Sequence, residues 1–161
     1  MLDLACAEDL ETEFSLKKFL HSDVAGVTQI LSHPQILIGA SDAGAHVGQF
    51  CGAGDTGYLL ARWVRELKTF SLEHAIYNLT GKLADALGLR SRGRIAVGQA
   101  ADLVVFNPDT IGRGPEEFVH DVPGGGNRYI RHATGVELVV LNGAVAWEHG
   151  TYAHVCTGEV V

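Results

Sequence analysis

The chain has 161 residues, 47% hydrophobic and 19% charged, a balance that supports a packed globular core and excludes a disordered chain. Its net charge of −7 argues against nucleic acid or an anionic membrane as partner, because both recruit clustered Lys and Arg. No apolar run reaches the length of a membrane span and Met1-Leu-Asp-Leu-Ala-Cys-Ala-Glu8 lacks the basic start of a signal peptide, so a cytoplasmic protein is expected.

In chain order, Ser22 or Asp23 is placed to cap a helix with Val24, Val27, Ile30 and Leu31 on one face, which Pro34 ends. The apolar run Ile36-Leu37-Ile38 then reads as a buried parallel strand, spanning 36–42. Its end delivers one carboxylate, Asp42, into the loosened segment Gly39-Ala-Ser-Asp-Ala-Gly-Ala-His46. The stretch from Gly44 to Gly57 is too irregular for a regular element. Leu59, Leu60, Trp63, Val64 and Leu67 recur at helical spacing. Ser71 opens another helix with Leu72, Ala75, Ile76 and Leu79 inward, and Thr80 caps a short one that Gly88 closes. Helix, strand, loop and helices in this order read as the tail of a β/α architecture.

After Gly88 the period changes. Gly93 to Gly98 reads as a short strand and turn, and Ala101 to Phe106 as a strand rich in β-branched and aromatic residues. Leu138 to Leu141 and Ala144 to Trp147 flank Asn142-Gly143, a hairpin signal because both positions tolerate positive φ. Between these strands, 107–135 is rich in Gly, Pro and charge and reads as one long loop, a length usual for functional covers. Cys6, Cys51 and Cys156 are odd in number and widely spaced, as expected of free thiols in a reducing compartment.

Three motifs in order carry a resemblance. Ser41-Asp42 after its apolar run, with Leu79-Thr-Gly-Lys-Leu-Ala84 downstream, resembles the last barrel strand of the amidohydrolase superfamily and the helical segment after that strand. Gly93-Arg-Ile-Ala-Val-Gly-Gln-Ala-Ala-Asp-Leu-Val-Val-Phe106 resembles the segment after the barrel, and Val139-Val-Leu-Asn-Gly143 the hairpin that closes the small β-domain. Within the superfamily the chain is most similar to the D-aminoacylase-like, N-acyl-D-amino-acid deacylase branch. The resemblance implies an α/β fold. Residues 1–90 would be the C-terminal part of a (β/α)8 metal-dependent hydrolase barrel, and 91–161 strands of the small composite β-domain. A complete barrel needs about 250 residues, so the rest lies outside this sequence.

The chemistry implied by the resemblance centres on Asp42, as catalytic residue and ligand of a zinc ion. A carboxylate beside a hydrolytic metal can help hold the cation and can carry the proton of the attacking water to the leaving nitrogen. The plain reading of an Asp before this turn is that its side chain caps the turn. The resemblance places His46 at the substrate, and Ser41 reads as a substrate-site residue that orients Asp42 or as one satisfying backbone groups. His21, His33, His74, His120, His132, His149 and His154 form no H-x-H or H-E-x-x-H arrangement and read as surface or satisfied histidines. Cys51 reads as inert, Asp102 as a structural hydrogen-bonding group, and Trp63 and Trp147 as core anchors. The superfamily's H-x-H pair, its middle-strand bridging ligand and its later histidine ligands are absent, and no Arg or Lys stands between Gly44 and Gly57. The expected whole enzyme is a zinc-dependent hydrolase of a small N-acylated amino acid or related amide, a homo-oligomer, with the 161-residue chain inactive alone. A hydantoinase- or dihydroorotase-like cyclic amidase shares these features, and a non-catalytic binding or assembly module is the reading from another class.

Overall fold

A computed structural model describes residues 1–9, 12, 22–39 and 41–160. The chain divides into two compact units, Met1–Ile36 and Leu37–Val161. The first holds helices α1 (Leu2–Ala7) and α2 (Val24–Ser32). Of the two candidate caps, Asp23 takes the role: its carboxylate accepts the Ala25 N–H at 3.0 Å. The helix stops at His33, held extended at φ −71°, ψ 129°, because the ring of Pro34 excludes helical geometry from the residue before it. Helix α1 carries no strong apolar stripe, and its residue spacing does not announce it.

In the second unit, helix α3 (Asp55–Leu59) runs directly into a π-helical stretch, Leu60–Glu66. The expected helix over Leu59 to Leu67 is therefore wound more widely than its spacing implies. Helix α4 (Leu72–Leu79) starts where Ser71 Oγ accepts the His74 N–H at 3.2 Å. Helix α5 (Gly81–Leu87) follows Thr80, whose hydroxyl does not cap it but donates back to Ile76 O at 2.7 Å. Its end carries the paired bonds of a Schellman motif, Leu89 N–H to Ala84 O at 2.8 Å and Gly88 N–H to Asp85 O at 3.3 Å.

The sheets are antiparallel. Strands β1 (Leu103–Phe106), β6 (Val136–Leu141), β7 (Ala144–Glu148) and β8 (Thr151–Tyr152) lie side by side in that order. Leu103 faces Val140 and Val105 faces Leu138. Asn142 at φ 47° and Gly143 at φ 82° make the tight turn between β6 and β7, as their chemistry demands. Asp102 has the structural role expected of it. Its carboxylate accepts the Asn142 N–H and the Arg92 Nε–H, both at 2.7 Å, and so ties the entry of β1 to the hairpin turn.

Three segments depart from what their local pattern implies. Among the described residues the run from Ile36 to Gly39 joins no sheet, and Ala40 lies outside them. A parallel strand exists through neighbours that take its N–H and C=O groups, and among the described residues no parallel ladder is present. The architecture is thus mixed helix and antiparallel sheet, and a parallel barrel is not seen in it. The segment 107–135 is also no single long loop. It holds β2 (Gly112–Arg113) paired with β5 (Ala133–Thr134), and the hairpin β3 (Glu117–Val122) with β4 (Gly126–Ile130). Conversely, Gly93 to Gly98 forms turns where a short strand was expected.

Leu60, Ala75 and Ile111 form the buried centre, with Val64, Phe70, Ile76, Phe106 and Val136 packed on them. The core thus joins the π-helical stretch and α4 to the four-stranded sheet, and Ile111 enters it from the supposed loop. Trp63 is buried as expected of an anchor, while Trp147 is half-buried. No described helix is long and apolar enough to cross a membrane.

Candidate functional site

Asp42 lies, itself exposed, on the loop from Ser41 to Gly54 that leads into α3. Its side chain does not cap the turn. Ser41 does so instead, its Oγ accepting the Ala43 N–H at 3.2 Å, while the main-chain carbonyl of Asp42 accepts the Ala45 N–H at 3.0 Å. The Asp42 carboxylate itself has no hydrogen-bond or ion-pair partner among the described residues. Gly52 packs against the Asp42 backbone: a Cβ there would lie 2.8 Å from the carbonyl carbon of Asp42 and 3.0 Å from its Cβ. Any side chain at position 52 would push the two strands of the loop apart.

His46 sits four residues on, at φ 49°, an unusual backbone for a non-glycine residue. Its carbonyl accepts the Gln49 N–H at 2.7 Å, and its ring lies 6.2 Å from that of Phe50. Ser41 lines a cleft of about 320 Å3 with Ile38, Asp55, Leu59, Leu79 and Leu83, whereas Asp42 and His46 do not line it. A second, apolar groove of about 750 Å3 runs between α4–α5 and β1, past Leu83, Leu87, Ile95 and Val104. The three residues singled out in the sequence thus share one loop, and of the three only Ser41 lines the first cleft.

Segment 107–135 supplies what the loop lacks. Arg113 lies 4.2 Å over the ring of Tyr58 and 3.4 Å from Asp55 Oδ1. Arg131 donates to Cys51 O and to Gly114 O, each at 3.1 Å, and stands 3.5 Å from Glu116 Oε2. Glu116 in turn accepts the Cys51 N–H, and the Tyr129 N–H donates to Val47 O at 2.7 Å. Further along the hairpin, Arg128 grips both oxygens of Asp121 and holds that carboxyl below the usual carboxylate range. The absence of Arg and Lys between Gly44 and Gly57 therefore does not leave the loop without cationic neighbours. Sequence reading misses Glu116 and Arg131 because they pair with positions 65 and 80 residues away, which no local spacing encodes.

A metal centre does not fit this chain on its own donors. Structural or catalytic zinc takes three or four ligands, and among the described residues no group of three His, Cys, Asp or Glu side chains converges to hold an ion. His21 lies outside the described residues. Cys6, Cys51 and Cys156 are free thiols, with Cys51 half-buried in the loop.

Known proteins share much of this chain. Residues 17–146 match the Amidohydrolase family. N-acyl-D-glutamate deacylase from Alcaligenes xylosoxydans xylosoxydans is 31% identical over 132 residues, which is 80% of this chain and 25% of that protein. Among solved structures, a D-aminoacylase mutant in complex with copper chloride superposes with a TM-score of 0.64 at 28% identity, covering 86% of this chain and 28% of its own. N-acyl-D-glutamate deacylase from Bordetella bronchiseptica, complexed with zinc and a phosphonate mimic of the tetrahedral intermediate, gives a TM-score of 0.51 at 32% identity over 66% of this chain and 20% of that one. The chain spans between 19 and 25% of the length of the first curated relatives it matches.

Proposed function

Because the chain belongs to the amidohydrolase family, we propose that it is the proton-carrying portion of a hydrolase that cleaves the non-peptide C–N bond of an N-acylated amino acid. The observation that carries this reading is the state of Asp42. It is exposed on a loop, excused from turn capping by Ser41 and without a partner of its own among the described residues. A carboxylate left free in this way can serve as a base. The deacylase relatives and the inhibitor-bound neighbour support the substrate class.

In this reading water attacks the acyl carbon, forming a C–O bond. Asp42 accepts the water's proton and then donates it to the amide nitrogen as the C–N bond breaks. The carboxylate is restored when the amine leaves. His46 borders the substrate from the same loop, and Ser41 keeps the turn that aims Asp42. The division into a barrel end over 1–90 and a small β-domain over 91–161 belongs to the same proposal. The cofactor of the full-length enzyme is zinc, to which this chain offers Asp42 as one ligand.

The test is Asp42→Asn in the full-length protein, assayed on N-acyl-D-amino acids. An amide has nearly the size of the carboxylate but cannot accept the proton, so turnover should fall by ~10²–10⁴-fold with the fold intact. A variant with near-normal turnover would remove Asp42 from the chemistry. Complete inactivity of the unsubstituted full-length protein on every N-acyl amino acid tried would favour the non-catalytic module.

A further inference from the structure

A base in general acid–base catalysis must stand within hydrogen-bond reach of the proton it takes. A misplacement of about 1 Å can cost roughly 10²-fold in rate. Asp42 has no side-chain partner among the described residues to hold it. The backbone of Gly52 packs closely against its main chain and Cβ and so bears on where it stands.

Residue 51, next in the chain, is gripped at both of its polar backbone groups by side chains from the far side of the sequence. Glu116 accepts the Cys51 N–H, and Arg131 Nε donates to Cys51 O at 3.1 Å. The two side chains also meet, with Arg131 Nη2 3.5 Å from Glu116 Oε2. They are 20% and 32% exposed, shielded enough that charge-assisted bonds hold better there than on an open surface. Arg131 is fixed in turn by Gly114 O at 3.1 Å, and strand β4 takes a second hold on the loop through Tyr129 N–H and Val47 O.

We propose that Glu116 and Arg131 are positioning residues for Asp42, a clasp that presses the Cys51–Gly52 backbone onto Asp42 and so sets where its carboxylate stands. The inference rests on the reading of Asp42 as the proton carrier. Neither side chain touches the reacting atoms. The segment between β1 and β6 thereby becomes part of the catalytic apparatus as the holder of its loop.

Amide hydrogen exchange on the full chain tests the clasp without any assay of activity. In Glu116→Ala the amides of Cys51 and Gly52 should exchange ~10-fold faster or more, while those of α4 and α5 keep their rates. Glu116→Gln, which retains an oxygen for the Cys51 N–H, should recover most of the protection. Unchanged exchange at Cys51, or acceleration spread evenly through α4 and α5, would overturn the proposal. The second readout is turnover in the full-length protein. Glu116→Ala should lower kcat and leave KM nearly unchanged, and this loss should disappear when Asp42→Asn is already present. An equal loss in the Asp42→Asn background would show that the pair acts elsewhere and would sink the inference. If Asp42→Asn alone leaves turnover intact, it is the functional reading that fails, and the exchange result still decides whether the clasp exists.

Discussion

Two aspartates with similar local sequence credentials end in opposite circumstances. Asp42 follows an apolar run and stays unpaired among the described residues, whereas Asp102 precedes an apolar run and is fully engaged. The Asn142 N–H first, and then the Arg92 guanidinium, lower the Asp102 pKa from its usual value. A carboxyl whose folded pKa is depressed contributes stability above its unfolded pKa, about 3.9, and loses that contribution as pH falls through the folded value. Asp102→Asn should therefore lower the urea midpoint at pH 7, and the gap to the unsubstituted chain should close in acid, below the usual Asp range. Urea titrations at a series of pH values check this, and a gap that persists in acid would mean that the charge of Asp102 is not what matters. The structural role of Asp102 is legible in its position, because the strand entry and the hairpin turn are both marked in the sequence. The freedom of Asp42 is not legible, since Ser41 and Asp42 are equally able to cap the same turn.

Elements with strong local chemistry are readable from the chain, and those made by distant partners are not. Asp23, Ser71 and Asn142-Gly143 act within a few residues, so α2, α4 and the β6–β7 turn derive from them. The strands of 107–135 escape notice because their pattern is broken by charge and glycine. Strand β3 is mostly exposed, so it carries no apolar alternation to read. Ile111 is nonetheless 5% exposed and sits at the core centre. If the segment were only a cover, Ile111→Ala would be tolerated. As a core residue it should cost ~2–5 kcal/mol, measured by chemical denaturation. A loss below about 0.5 kcal/mol, the range of surface changes, would return the segment to loop status.

Across the molecule, apolar surface is left uncovered. Ile95 is 90% exposed, Leu87 69% and Val104 57%, all beside the apolar groove along β1. Among the described residues strand β1 pairs with β6 alone, which leaves its other edge for a further strand. By contrast Leu60, on the π-helical stretch, is buried. At ~25 cal/mol per Å2 of apolar surface, covering a few hundred Å2 supplies a strong drive before association costs are deducted. The 161-residue chain should therefore self-associate at micromolar concentration, and after dialysis it should retain no stoichiometric zinc, because its described residues offer no ligand set. Light scattering and metal analysis of one preparation test both. A clean monomer, or one zinc per chain, would contradict the respective expectation.

By itself the sequence determined the family, the position of the Asp42 loop, the caps of α2 and α4 and the β6–β7 hairpin, because each rests on residues close together in the chain. Tertiary structure alone decided that 107–135 folds into paired strands and that Glu116 and Arg131 grasp the Cys51 backbone. Strand pairing and long-range side-chain bonds depend on which partner the rest of the molecule brings alongside, and no local pattern records that choice.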